Sequence, residues 1–246
     1  MPRTIVGRKP VIEALKAGTA LETITLLAGI GGKPIEEIRR LAKERNVPLS
    51  EVNREAFRAL ARDQMTQGVV ATLRQQQRLV SIETILAVAR QRSEQPFVLI
   101  LDEIVDPHNV GALVRTAECA GVHGVIIPKH HAAPINATVV KASAGATEHL
   151  AIAEVTNIVN TIERLKKENL WIVGLDGNGD KLFDRVDYTP PIALVVGNEA
   201  KGIRRLVKEH CDFRVKIPLF GKIESLNASV AGAVAMYEVV RQRTRA

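Results

Sequence analysis

The chain has 246 residues, 46% of them hydrophobic, and a formal net charge of +7 from 34 Lys/Arg against 27 Asp/Glu, enough length to bury a core in one large domain or two modest ones. No stretch approaches eighteen consecutive apolar residues and the start MPRTIVGRKPVIEAL lacks an apolar signal core, so a cytoplasmic protein with no membrane partner is expected. Cys119 and Cys211 lie far apart, His130 and His131 are adjacent, and HExxH is absent, so neither a disulfide scaffold nor a metal site has support.

Apolar periodicity predicts a small α/β unit over the first 75 residues: helix 10–17, strand 24–27, helix 35–44, strand 48–52, helix 54–61 and strand 69–73. The polar run 75–78 reads as a linker, with a domain boundary near Gln76, and a helix follows at 82–92 before Pro96. The division expected is 1–75 for the first domain, 76–92 for linker and helix, and 93–246 for the second domain. Residues 1–80 carry 14 Lys/Arg against 8 Asp/Glu, and residues 81–246 carry 20 against 19. A basic module on a nearly neutral one fits a polyanion partner, as it also fits a solvated basic surface. With only 3% aromatic residues, contact through backbone and shape suits this chain better than base stacking.

Beyond the linker, short apolar strands are expected at 97–101, 124–127, 150–155, 170–175, 192–196 and 213–217, with helices in most gaps. That pattern implies a parallel sheet covered on both faces, whose ligands bind beyond the carboxyl ends of the strands. Three polar, glycine-containing strand ends stand there. After the first, Pro107 keeps Asp106 extended and Asn109 sits at an N-cap position. Gly111 and Arg115, four apart, share a helix face on which the glycine clears room beside the guanidinium; Arg115 could equally pair with Glu118. After strand 192–196 comes Gly197-Asn198-Glu199-Ala200-Lys201-Gly202, a glycine turn without the Lys-Ser/Thr of a phosphate loop, and Gly174-Leu-Asp-Gly177-Asn-Gly179 lacks dinucleotide-fingerprint spacing. After strand 213–217, Ser225-Leu226-Asn227 opens an apolar helix, either as a cap or as part of a site. In that helix Leu226, Val230, Ala233, Tyr237 and Val240 are expected to form a buried face.

The segments NVGALVRTAECAG, VVGNEAKGI and IPLFGKIESLNASVAGAVAMYE resemble the three motifs of the SpoU/TrmH class of SPOUT RNA ribose 2'-O-methyltransferases. GRKPVIEAL, KASAGATEHL and KKENLWIVGLD resemble the RlmB-type 23S rRNA guanosine methyltransferases, although Lys9 stands where that subgroup often has Asn. The resemblance implies a deep C-terminal trefoil knot, a ribosomal-protein-like RNA-binding domain in front of it, and a homodimer. It also implies S-adenosylmethionine bound by backbone groups at Gly197, Ile217 and Leu226. Arg115 would then activate the ribose hydroxyl or clamp charge, with Asn109, Glu199, Ser225 and Asn227 positioning RNA and side chains. The implied substrate is 23S rRNA, at a guanosine of the peptidyl-transferase region. Other tRNA or rRNA riboses, or rRNA binding without catalysis, are the alternatives.

Overall fold

A computed structural model describes residues 4–61, 66–73 and 79–244. The boundary near Gln76 and the run 75–78 lie outside the described residues. In chain order the first elements are β1 (Thr4–Val6), α1 (Arg8–Lys16), β2 (Leu21–Leu27), α2 (Lys33–Glu44), β3 (Leu49–Val52), α3 (Arg54–Ala61) and β4 (Val69–Leu73). There follow α4 (Ile82–Arg92), β5 (Phe97–Asp102), α5 (Pro107–Cys119), β6 (Gly124–Pro128), α6 (Ala137–Ala142), β7 (Ala151–Val155) and α7 (Ile158–Lys167). The last are β8 (Trp171–Leu175), β9 (Lys181–Leu182), β10 (Ile192–Gly197), α8 (Arg205–Glu209), β11 (Phe213–Lys216) and α9 (Ala228–Arg243). The sequence pattern missed β1 and β9, which at three and two residues are too short to show alternation.

By internal contacts the chain divides into two units. The first holds a sheet ordered β1-β4-β2-β3, with β4 antiparallel to β1 and β2, and β3 parallel to β2. Its core closes because α2 buries Ile35, Ile38, Leu41 and Ala42, a stripe at helical spacing, together with Val11 and Leu15 of α1. Residues Ile135–His149, which the sequence assigns to the domain 93–246, pack with this first unit. Val140 of α6 enters its core, and Thr19 Oγ1 donates to Glu148 Oε2 at 3.0 Å.

The second unit is built on a seven-stranded sheet ordered β7-β6-β5-β10-β8-β11-β9, every pairing parallel. Strands β5, β6 and β10 are buried at every position, as a sheet covered on both faces requires. The chain runs outward from β5 through β6 to β7, then returns to the other flank of β10. A crevice therefore opens between the carboxyl ends of β5 and β10, where strand order reverses. Helix α9 lies against α5, β10 and β8.

One expectation about α9 is reversed. Its buried residues are Ala228, Gly232, Ala235, Met236, Glu238 and Val239, whereas Val230, Val234 and Tyr237 are 49%, 36% and 51% exposed. The helix is apolar nearly all round, so periodicity could not choose a face. Close approach to α5 chose it: a Cβ on Gly232 would lie 2.4 Å from Leu113 Cδ2.

Candidate active site

Each strand end contributes one polar group. After β5, Asp106 rather than Asn109 is the N-cap of α5, its Oδ1 accepting from His108 N at 3.0 Å with Pro107 in the first helical turn. This corrects the expected cap, and Pro107 was the available signal, because proline favours the position directly after it. Relieved of capping, Asn109 is 93% buried and turns its amide to the second strand end. Asn109 Nδ2 donates to Glu199 Oε1 at 2.9 Å. From the third strand end, Asn227 Nδ2 donates to Asn109 Oδ1 at 3.0 Å and also to Glu199 Oε1. Asn227 Oδ1 meanwhile caps α9 by accepting from Ser229 N and Val230 N, and Ala228 N adds a bond to Glu199 Oε1 at 3.3 Å. Cap and site are thus one residue, each amide atom serving one task.

The turn carrying Glu199 is fixed by its own backbone. Asn198 and Gly202 exchange main-chain hydrogen bonds, and Asn198 Oδ1 accepts from Ala200 N and Lys201 N. A Cβ on Gly197 would lie 2.3 Å from Gly202 C and Ile203 N, so only glycine allows this closure. Three hydrogen bonds tie this segment to the end of β5 and the residue after it. Asn198 Nδ2 donates to Glu103 O at 3.1 Å, and fully buried Asp102 holds Arg204 through Nε at 2.8 Å and the main-chain N at 2.8 Å. That pairing raises the pKa of Arg204 above its ordinary value and leaves Asp102 satisfied. Glu103 has φ 58°, an uncommon left-handed conformation at a non-glycine residue on the rim of the crevice.

Beside the cluster lies an open cleft of about 620 Å³, counting the solvent space at its mouth. Its walls include Gly197, Glu199, Ile217, Ser225 and Leu226. Leu175, the last residue of β8, and Asp176 and Gly177 after it also line the cleft, and the sequence had set that segment aside for lacking a dinucleotide spacing. Arg115 stands apart from these contacts. It is exposed on α5, six residues and so about 120° around the helix from Asn109, and has no hydrogen bond or ion pair among the described residues, Glu118 included. Among the described residues no group of three or more His, Cys, Asp or Glu converges as a metal site, and no helix is long and apolar enough to cross a membrane.

Two family models match the chain: the SpoU rRNA Methylase family over residues 96–237, and RNA 2'-O ribose methyltransferase substrate binding over residues 4–79. The TrmH-family tRNA/rRNA methyltransferase YacO of Bacillus subtilis (strain 168) is 41% identical over 239 residues, covering 97% of this chain and 95% of that one. A TrmH-family tRNA/rRNA methyltransferase of Staphylococcus saprophyticus is 40% identical over the same shares. Among solved structures, the SpoU methyltransferase AviRb from Streptomyces viridochromogenes matches with a TM-score of 0.84 at 25% identity, covering 99% of this chain and 90% of that chain. AviRb in complex with the cofactor AdoMet matches at 0.82 and 25%, covering 99% and 91%. The chain belongs to the SpoU/TrmH family of RNA methyltransferases, with the family's α/β catalytic fold behind an N-terminal substrate-binding domain.

Proposed function

We propose that the protein methylates a ribose 2'-hydroxyl of 23S rRNA, at a guanosine of the peptidyl-transferase region, with S-adenosylmethionine as methyl donor. The carrying observation is the meeting of three strand-end motifs at Asn109, Glu199 and Asn227, next to a cleft that Glu199, Leu226 and Ala228 line. The cleft suits such a cofactor: its wall combines apolar side chains with a buried acid, Asp176, whose Oδ2 lacks a hydrogen-bond partner, and a Cβ on Gly177 would meet nothing within 4 Å. Gly197, Ile217 and Leu226 would hold the cofactor there. When bound, S-adenosylmethionine supplies an electrophilic methyl group, and the protein has to orient the acceptor hydroxyl, exclude water and dispose of one proton.

Asn109 and Asn227 hold Glu199 by Oε1, which leaves Oε2 to take the hydroxyl proton directly or through water. Ser225, exposed beside the cleft, positions the ribose. Arg115 acts as a cation rather than a base: its exposed guanidinium can clamp a phosphate or stabilise the developing alkoxide. In the first unit Lys9, Lys33, Lys43, Arg54 and Arg58 are exposed and without ion pairs among the described residues, which suits contact with the RNA backbone.

The same proposal includes a homodimer and a knotted C-terminus. Val230, Val234 and Tyr237 form an exposed apolar stripe on α9, with Phe220 and Ile223 exposed just before it, the kind of patch that an isologous interface covers. After β11, near the sheet edge, the chain comes back to the sheet centre as α9, the return that a threaded C-terminus makes. Mapping 2'-O-methyl positions in total RNA from cells with and without the protein tests the substrate. Loss of one methyl on a 23S rRNA guanosine is expected, and a change confined to tRNA would redirect the assignment.

A further inference from the structure

Among the described residues, the loop after β8 carries the one acidic group lining the cleft that is itself deeply buried. Asp176 is 6% exposed. Its backbone is pinned: Asp176 N donates to Val215 O at 2.9 Å, Gly179 N donates to Asp176 O at 2.8 Å, and a Cβ on Gly179 would fall 2.6 Å from Val215 C. One carboxylate oxygen is committed to this turn, Oδ1 accepting from Asn178 N at 3.2 Å. The other, Oδ2, accepts no hydrogen bond, although Lys208 Nζ approaches it to 2.9 Å as an ion pair. The ion pair compensates the charge of this buried oxygen without supplying an aligned donor, so its acceptor capacity is left for a ligand donor. The asymmetry of the pair matters too. Asp176 is held by a rigid turn, whereas Lys208 reaches in on a flexible stem from α8 and is 26% exposed.

We propose that Asp176 is a cofactor-binding residue: its Oδ2, balanced by Lys208 in the free protein, accepts a hydrogen bond from an O–H or N–H donor of S-adenosylmethionine. This rests on the assignment of the cleft as the S-adenosylmethionine site. It adds a side chain from the β8 loop to a wall otherwise made of the other strand ends, and it makes Lys208 a counter-ion that the ligand displaces.

Calorimetry on the full chain, with thermal melts of each variant, tests it. Asp176→Asn keeps the turn acceptor and should weaken S-adenosylmethionine about tenfold or more, the scale of a hydrogen bond to a charged group. Lys208→Met leaves the acid in place and should keep the affinity within about twofold of wild type or raise it. Because Lys208→Met retains Asp176, it stands as a test even if Asp176→Asn folds poorly; equal losses in the two variants would overturn the proposal, since Asp176 would then serve only the ion pair. The probe 5'-methylthioadenosine, which lacks the amino-acid end, locates the donor: a loss shared with it places the donor in the nucleoside, a loss confined to S-adenosylmethionine places it in the amino acid. No loss with either ligand overturns the proposal. Ala231→Phe, which fills the cleft, separates the two levels of inference. If it abolishes binding while Asp176→Asn binds normally, the cleft stands and Asp176 falls; if it binds normally, the cleft assignment falls and takes Asp176 with it.

Discussion

Asn109 and Glu199, ninety positions apart in the chain, are joined at 2.9 Å, Nδ2 to Oε1, across the crevice where strand order reverses. The bond links the helix after β5 to the turn after β10, and Asn227 closes it from the third strand end. A loop cluster tied in this way places its groups with little freedom left to lose during reaction.

Asn227 does two jobs that substitutions can separate. Asn227→Ala removes the cap of α9 and should cost about 1 kcal/mol in urea unfolding, together with methylation activity. Asn227→Asp keeps an acceptor for Ser229 N and Val230 N but loses the donor to Glu199 and sets a like charge beside it. It should retain more of the stability than Asn227→Ala while remaining deficient in methyl transfer.

Arg115 lies outside the hydrogen-bonded cluster and off the cleft wall. Arg115→Ala should lower the single-turnover rate by about 100-fold or more, the scale of a lost charge-stabilising group, while calorimetry finds S-adenosylmethionine binding nearly unchanged. A near-normal rate would remove Arg115 from the chemistry.

Gly232 sets how closely α9 approaches α5. Gly232→Leu places a side chain where even a Cβ would meet Leu113 at 2.4 Å, and it should destabilise the protein by about 1–3 kcal/mol by denaturant unfolding. On the opposite face, Val230→Glu should leave stability near wild type, because the position is half exposed. There the expected effect is on assembly: a dimer in sedimentation becomes a monomer.

His123 gives the stability a pH dependence. It is buried, accepts from Phe97 N through Nδ1 at 2.9 Å, and meets Glu94 through Nε2 at 2.9 Å, so its neutral form carries the proton on Nε2. Burial lowers its pKa below the ordinary 6.5, outweighing the pull of Glu94. The unfolded chain therefore binds the proton more readily. This contribution is complete above about pH 6.5 and is lost as pH falls toward the lower folded value. Unfolding free energy measured from pH 7 to pH 5 should fall with a slope that His123→Gln flattens.

The strands of the catalytic sheet were legible because buried parallel strands are short apolar runs, and β5, β6 and β10 are buried at every position. The polar strand ends were legible one at a time, and the parallel sheet with the family resemblance led to the expectation that they share one site; the particular bonds that join residues 109, 199 and 227 were not legible, since no local signal specifies them. The face of α9 was misjudged because the period of an all-apolar helix carries no direction, and Gly232 was the overlooked mark of close approach. Asp176 was missed since glycine turns were tested only against known phosphate-binding spacings. Residues 135–149 were assigned by their place in the chain, whereas burial of Val140 among the side chains of the first unit decides where they pack.

The central claim is transfer of a methyl group to a ribose, and it is tested most directly by incubating the purified protein with labelled S-adenosylmethionine and unmodified 23S rRNA, then digesting the product to nucleosides. Label recovered in 2'-O-methylguanosine, absent when Arg115→Ala replaces the wild type, is the expected result. Label in a methylated base, or none in RNA while S-adenosylmethionine is bound, would contradict it.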